Sequence, residues 1–185
     1  MNNSILISVG HPVGTLTIDE GLFYLETYSG MYMLNNPVFY FIWTKCINGI
    51  TYESLINLFK DTFDDEVILD DYLAQLIDNK FIALFEIDDN IKNYENIKNY
   101  KIARTGLGIG ATDDSSTRHI ILGENRVEIE AFEYSIWFAA NGKFTIADII
   151  EGFRENMNIG DEEIIKIITA IVSLCNEGLL ILMGE

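Results

Sequence analysis

The chain has 185 residues, 49% of them hydrophobic, and its 12 basic against 29 acidic residues give a formal net charge of −17 at pH 7. Both halves of the chain are acidic, which excludes a basic arm for nucleic-acid phosphates and favours basic or apolar partners. No apolar run approaches the ~20 residues of a transmembrane helix and no basic segment precedes a signal-peptide core, so the sequence predicts a cytoplasmic protein.

Strands, three helices and a closing strand are predicted for residues 1–87. Aromatic and β-branched residues favour a hairpin joined at Ser29-Gly30. Pro37 occupies the first position of a helix, where a missing N–H costs nothing, and Asn35 or Asn36 caps that helix. Thr51 caps the next one. The predicted strands are 4–9, 15–18, 22–28, 31–34 and 81–87, with a turn at 10–14, and the predicted helices are 37–46, 52–62 and 66–78.

An asparagine-rich hexamer is repeated directly after this unit. Residues 90–95 read Asn-Ile-Lys-Asn-Tyr-Glu and residues 96–101 read Asn-Ile-Lys-Asn-Tyr-Lys. Short duplications of this composition indicate low complexity, so 88–101 is predicted to be a linker. For the rest of the chain the predicted strands are 101–104, 119–122, 126–130 and 179–183, and the predicted helices are 131–140, 146–156 and 161–176.

One design occurs twice in the chain, 94 residues apart at the tryptophans and 96 residues apart at the glycines that precede them. The aligned pairs are Trp43 with Trp137, Thr51 with Thr145, Gly10 with Gly106, and Gly14 with Gly110. Both copies have a turn, a helix cap and an apolar helix face in the same order. The sequence therefore predicts an α+β protein of two tandem winged-helix-like units, each a β-hairpin plus three helices, at 1–87 and 102–185.

The motifs that could carry chemistry fail on spacing. The run from Gly106 to Gly110 lacks a third glycine at the proper spacing and the βαβ setting of a phosphate-binding loop. The carboxylates of 61–71 lack the alternating ligands of a calcium loop. The two histidines occupy unrelated positions in the two units, and the two cysteines match no metal spacing. The sequence predicts no cofactor, no metal and no enzyme activity.

The third helix of a winged helix usually enters the DNA major groove and supplies cations to phosphates and base edges. Helix 66–78 has four carboxylates and no lysine or arginine, and helix 161–176 has only Lys166. Phosphate neutralisation supplies much of the affinity for DNA. The sequence thus disfavours a nucleic-acid partner, and a DNA-binding transcriptional regulator remains the second alternative.

A family resemblance lies in the run 31–55, Met-Tyr-Met-Leu-Asn-Asn-Pro-Val-Phe-Tyr-Phe-Ile-Trp-Thr-Lys-Cys-Ile-Asn-Gly-Ile-Thr-Tyr-Glu-Ser-Leu. It resembles the PqqD-like group, the peptide-recognition domains of pathways that modify ribosomally made peptides. In that group a strand is followed by a helix ending near an aliphatic-Trp pair, an Asn-Gly or Asp-Gly turn, a Thr-capped helix, a third helix and a Gly-Leu-Leu-like strand. Residues 127–145 with Gly178-Leu179-Leu180 match in the same way.

The resemblance implies a non-catalytic module that captures the leader segment of a precursor peptide. The leader would add as a strand to the edge of the hairpin and lean on the third helix. The implied partners are the precursor peptide and its modifying enzyme. The implied contact residues are Met31, Tyr32, Met33, Leu34, Tyr72 and Gln75 in the first unit and Arg126, Val127, Ile129 and Thr169 in the second.

A different class of function also remains open. Tandem winged helices with acidic surfaces serve as assembly adaptors, such as the winged-helix subunits of chromosome-condensation complexes, which clamp a helix of a partner protein. This alternative depends on architecture alone.

Overall fold

The computed structural model describes residues 4–14, 23–64, 68–86, 90–111, 116–157 and 159–184. It is a mixed α+β structure whose described residues form four three-stranded sheets and seven helices. The chain divides into two compact units, Met1–Ile97 with Leu182–Glu185, and Lys98–Ile181. Within the described ranges, no helix is both long enough and apolar enough to cross a membrane.

The strands of the first unit are β1 (Ser4–Ser8), β2 (His11–Gly14), β3 (Phe23–Thr27), β4 (Gly30–Leu34), β5 (Ile50–Thr51) and β6 (Ile82–Glu86). They form two antiparallel sheets, with the orders β5-β1-β6 and β2-β3-β4. The predicted hairpin is confirmed, but its turn is Tyr28-Ser29, one residue before the predicted Ser29-Gly30, and Gly30 begins β4. The predicted turn at 10–14 was wrong for 11–14, because His11 pairs with Glu26 of β3. The strand predicted at 15–18 lies outside the described residues.

The helices of the first unit are α1 (Pro37–Lys45), α2 (Tyr52–Lys60), α3 (Leu69–Asp78) and α4 (Asn90–Ile97). Two predicted caps are confirmed. Asn36 Oδ1 accepts a hydrogen bond from Val38 N at 2.8 Å, and Thr51 Oγ1 accepts one from Ser54 N at 3.2 Å. Such caps satisfy backbone donors that have no partner within the helix.

Helix α4 occupies the segment that was predicted to be a linker. Asn93 is buried and holds the end of β6, since its side chain accepts from Glu86 N at 2.7 Å and donates to Glu86 O at 2.7 Å. Lys92 forms an ion pair with the Glu86 carboxylate. These bonds lie within the compact unit that runs to Ile97.

Trp43 connects α1 to both sheets of the first unit. Its ring is fully buried against Phe23, Leu25 and Leu34 of the β2-β3-β4 sheet. Its Nε1 donates to Val9 O, just after β1, at 3.1 Å. A second cluster is formed by side chains of the β5-β1-β6 sheet and α1 to α3, including Leu6, Ile42, Leu55, Leu73 and Ile82.

The second unit contains β7 (Lys101–Arg104), β8 (Leu107–Ala111), β9 (Thr117–Leu122), β10 (Asn125–Glu130), β11 (Asn141–Thr145), α5 (Ala131–Ala139), α6 (Ile146–Met157) and α7 (Asp161–Asn176). The chain closes with β12 (Leu180–Met183). The sheet orders are β10-β9-β8 and β11-β7-β12. The predicted helices are confirmed to within one residue, whereas β8 and β11 were not predicted.

Helix α3 ends in a Schellman motif. Lys80 N donates to Ile77 O at 2.9 Å, and Phe81 N donates to Leu76 O at 2.8 Å. The motif requires a left-handed residue after the cap, the place where glycine is preferred. Lys80 holds that conformation with φ at 61°, and within the described residues it is the only non-glycine residue with positive φ.

Replacing Lys80 with glycine is expected to raise the free energy of unfolding by about 1 kcal/mol, because a side chain in this conformation costs about 1–2 kcal/mol. Gly178 has φ at 71° at the corresponding end of α7 and provides the matched control. Gly178→Ala should lower the free energy of unfolding by about the same amount. Urea unfolding followed by circular dichroism measures both, and a lower midpoint for Lys80→Gly would contradict the expectation.

Candidate functional site

Strand β4 is an edge of its sheet. Among the described residues it pairs with β3 and with no other strand. Its side chains alternate between two faces, as a pleated strand requires. Leu34 is buried and Tyr32 lies on the same side, whereas Met31 and Met33 are 65% and 46% exposed. The strand contains no charged residue and no proline.

The register of the hairpin shows which main-chain groups of β4 are available. Thr27 and Gly30 pair across a two-residue turn and therefore form a hydrogen-bonded pair. Bonded and non-bonded pairs alternate along an antiparallel ladder. Tyr32 and Leu34 consequently bond to β3, and the N–H and C=O groups of Met31 and Met33 point away from it.

Four aromatic side chains form a surface beside β4. The rings of Tyr32 and Phe81 meet edge to face at 5.2 Å, and those of Phe39 and Tyr72 meet in the same way at 5.3 Å. Phe39 and Phe81 both pack on the buried cluster that contains Leu34. Tyr32, Phe81, Phe39 and Tyr72, called here the aromatic surface, thus extend from β4 to α3.

The structure places the six predicted residues of the first unit at different depths. Met31, Tyr32 and Met33 are exposed along β4, but Leu34 is a core residue. Tyr72 is half-buried in the aromatic surface. Gln75 is exposed on α3, and its side-chain amide donates to Asp71 O at 3.0 Å.

In the second unit, β10 is also an edge strand within the described residues, paired only with β9. Leu122 and Asn125 flank its two-residue turn, so by the same alternation Arg126 and Glu128 direct their main-chain groups outward. Both side chains are exposed, and Glu130 follows them on that face. This edge is therefore lined by charge.

The other predicted residues of the second unit offer little to a ligand. Val127 is half-buried and Ile129 is buried, both on the inner face of β10. Thr169 is exposed on α7, but its hydroxyl donates to Ile165 O of the same helix at 2.9 Å.

Helix α3 is acidic. It carries Asp70, Asp71 and Asp78, and no lysine or arginine. The Tyr52 hydroxyl donates a hydrogen bond to Asp70, which raises the pKa of Tyr52 to about 12 with a further contribution from burial. Tyr52 stays protonated at neutral pH and joins α2 to α3. The charge of α3 is unfavourable for contact with phosphate groups.

The cysteines offer no reactive thiol. Cys46 and Cys175 are buried and free, and burial raises the pKa of each to about 12. A nucleophilic cysteine needs an accessible thiolate. In the part of the chain that the structure describes, no group of three His, Cys, Asp or Glu side chains converges on a metal position.

An apolar groove of about 1050 Å³ lies on the second unit between α5, β11 and α6. Its apolar lining includes Phe138, Phe144, Phe153 and Met157, and it is also lined by the small residues Ser135 and Gly152. Sequence reasoning missed this groove. A signal was present at the offset of 94, where Ser135 aligns with Phe41 and Gly152 with Leu58.

No known protein family, curated protein or solved structure matches the chain. Support for a function therefore comes from the geometry of the chain itself.

Proposed function

We propose that this protein is a non-catalytic peptide-binding module that captures an extended peptide, the leader segment of a ribosomally made precursor, by strand addition to β4. The observation that carries the proposal is an exposed, uncharged edge strand whose outward main-chain groups at Met31 and Met33 lie beside the aromatic surface. In strand addition, main-chain hydrogen bonds supply affinity and pockets for alternate side chains supply specificity.

The contrast between β4 and β10, the strands that follow the hairpin turns of the two units, supports binding through β4. Proteins protect exposed edge strands with charges or proline, because unprotected edges recruit other strands. Arg126, Glu128 and Glu130 protect β10 in this way, whereas β4 has no such residue. An unprotected apolar edge in an acidic protein is thus best explained as a site for another chain.

The proposal includes a tandem repeat of winged-helix-like units. Both units contain an initial strand, a three-stranded sheet, a helix, a short strand, two helices and a closing strand, in that order. Trp43 Nε1 donates to Val9 O at 3.1 Å, and Trp137 Nε1 donates to Thr105 O at 3.0 Å. Each acceptor immediately precedes one of the aligned glycines, Gly10 and Gly106. The same tryptophan hydrogen bond at aligned positions supports a repeat.

The geometry also predicts the character of the peptide. One bonded peptide residue would face Met31 and another would face Met33, with alternate side chains directed to the aromatic surface. We expect apolar residues at those alternate positions. Because residues 1–87 hold twelve acidic and three basic residues, acidic clusters in the peptide would be repelled.

Met33→Pro is expected to reduce peptide binding by at least about tenfold, since it removes an outward N–H donor and blocks strand addition without breaking a bond to β3. The tagged full chain is purified from its own cells, and co-eluting peptides are identified by mass spectrometry. Affinity for a synthetic copy is then measured by fluorescence anisotropy.

Glu128→Pro is the matched control, because Glu128 holds the equivalent outward position on β10. It should leave peptide affinity unchanged. Loss of binding with Glu128→Pro but not with Met33→Pro would move the site to the second unit. Unchanged binding in both variants would reject strand addition altogether.

A further inference from the structure

The groove between α5 and α6 keeps large apolar side chains in contact with water. Phe138, Phe144 and Met157 are 63%, 50% and 59% exposed. Burial of such side chains is worth about 1.5–3 kcal/mol each, so leaving three of them open at one place sacrifices stability. Contiguous apolar exposure of this kind marks a binding surface.

The first unit shows how the same place is filled when no groove is present. This comparison rests on the proposed repeat, in which Phe41 aligns with Ser135. The Phe41 ring packs against Phe59 at 6.1 Å and Phe63 at 5.1 Å, the residues aligned with Phe153 and Met157. The ammonium group of Lys45 lies 5.4 Å from the Phe41 ring centroid. An aromatic ring with a cation beside it therefore occupies the corresponding position.

The second unit lacks these filling groups. Ser135 and Ala139 stand where the first unit has Phe41 and Lys45. Gly152, in the lining of the groove, stands where the first unit has Leu58, an exposed side chain. A Cβ atom at Gly152 would meet no atom within 4 Å. The space beside Phe153 and Met157 is thus open to an aromatic ring of a bound partner.

The carboxylates of α6 favour a basic group in the occupant. Helix α6 carries Asp148, Glu151 and Glu155 against one cation, Arg154. The cations beside the other lining elements are Lys143 of β11 and Arg104, whose guanidinium lies 5.1 Å from the Phe138 ring centroid. Arg154 is engaged by Glu151 at 3.7 Å and by Asp161 at 3.4 Å. Among the residues that line the groove, Asp148 is the one with a carboxylate side chain. Hydrogen bonds from Thr145 hold its pKa below the ordinary value, so it is charged at neutral pH.

We propose that this groove binds a segment of a partner protein that presents an aromatic side chain flanked by basic residues. The ring takes the place that Phe41 holds in the first unit, and the basic residues face Asp148 and the other carboxylates of α6. This site is separate from β4 and would add a second contact to a partner.

The test uses the full chain with methyl-labelled methionine and three blocked tripeptides, Lys-Phe-Lys, Lys-Ala-Lys and Glu-Phe-Glu. The Met157 methyl resonance, assigned with Met157→Leu, reports occupancy of the groove by NMR. We expect saturable shifts with Lys-Phe-Lys, and affinity at least about threefold weaker for each of the other two peptides. Asp148→Asn should reduce the difference in affinity between Lys-Phe-Lys and Glu-Phe-Glu.

Gly152→Leu restores the side chain of the first unit and should weaken Lys-Phe-Lys binding by at least about tenfold. Its thermal unfolding midpoint should not fall, because space is available and glycine is unfavourable within a helix. Met33→Pro should leave tripeptide binding unchanged, which separates this site from β4. Equal binding of all three peptides, or binding that persists in Gly152→Leu, would overturn the proposal.

Discussion

Replacing Trp43 with alanine is expected to lower the free energy of unfolding by about 4 kcal/mol, in the range observed for buried aromatic residues. The side chain is fully buried, and it packs on Phe23, Leu25 and Leu34. Its removal leaves a large cavity between α1 and the β2-β3-β4 sheet. It also removes the indole N–H that donates to the Val9 carbonyl, and an unsatisfied buried acceptor costs about 1–3 kcal/mol.

Two further variants separate these contributions. Trp43→Phe keeps most of the apolar volume but loses the indole donor, so it should cost about half as much as Trp43→Ala. Tyr40→Ala should cost only about 1 kcal/mol, because the Tyr40 side chain is 40% exposed and contacts the cluster through Phe23, at 4.6 Å between ring centroids. Urea unfolding must be followed by circular dichroism, because Trp43→Ala leaves Trp137 as the only tryptophan. An equal decrease in the free energy of unfolding for Trp43→Ala and Tyr40→Ala would refute a central role for Trp43.

Elements with local signals were predictable from the sequence. Pro37 and Asn36 specify the start of α1, and the Ser29-Gly30 signal placed the hairpin turn to within one residue, because each signal acts within a few residues. The short strands β5 and β11 depend on partners distant in sequence. Thr51, for example, pairs with Ile5, and no local pattern reveals that pairing. Local chemistry identifies caps and turns, and long-range pairing requires coordinates.

The same limit explains the two larger differences. The hexamer around Asn93 reads as a linker by composition, yet the Asn93 side chain bonds main-chain groups of a strand that ended earlier in the chain. The groove on the second unit is lined by the small residues Ser135 and Gly152 together with large apolar side chains. Composition does not indicate where small residues leave space on a surface. The alignment at the offset of 94, which sets Phe41 and Leu58 against these residues, was the sequence signal for the groove.

The edge strand was predictable only in part. The resemblance indicated 31–34, and the structure places Met31 and Met33 on an exposed edge of the sheet. Which of the four residues direct main-chain groups outward depends on the register of Thr27 with Gly30. Leu34 belongs to the core for the same reason, since it lies on the inner face with Leu25. Because bonded and non-bonded pairs alternate along the strands, one known pair shows which residues of β4 direct main-chain groups outward. That pair, Thr27 with Gly30, was identified from the structure.

Gly106→Ala is expected to lower the free energy of unfolding by at least about 3 kcal/mol, the sum of backbone strain and a steric clash. Gly106 has φ at 76°, and a Cβ atom there would lie 2.6 Å from Ile121 O and 2.8 Å from Ile120 Cγ2. The clash involves main chain and cannot be relieved by a side-chain rotation. Gly110 has φ at 80° with no atom within 4 Å of the added Cβ, so Gly110→Ala should cost only about 1–2 kcal/mol.

The pair in the first unit extends this prediction to the repeat. Gly10 has φ at 99° with Glu26 O at 2.9 Å from an added Cβ, and Gly14 has φ at 107° with open space around it. Gly10→Ala should therefore cost more than Gly14→Ala, by about 1–3 kcal/mol. If urea unfolding ranks the losses of free energy of unfolding in the same order in both units, Gly10 and Gly106 share one role, which is close packing against a neighbouring strand. A reversed order in one unit would show that the aligned glycines have different structural roles, and it would weaken the proposed repeat.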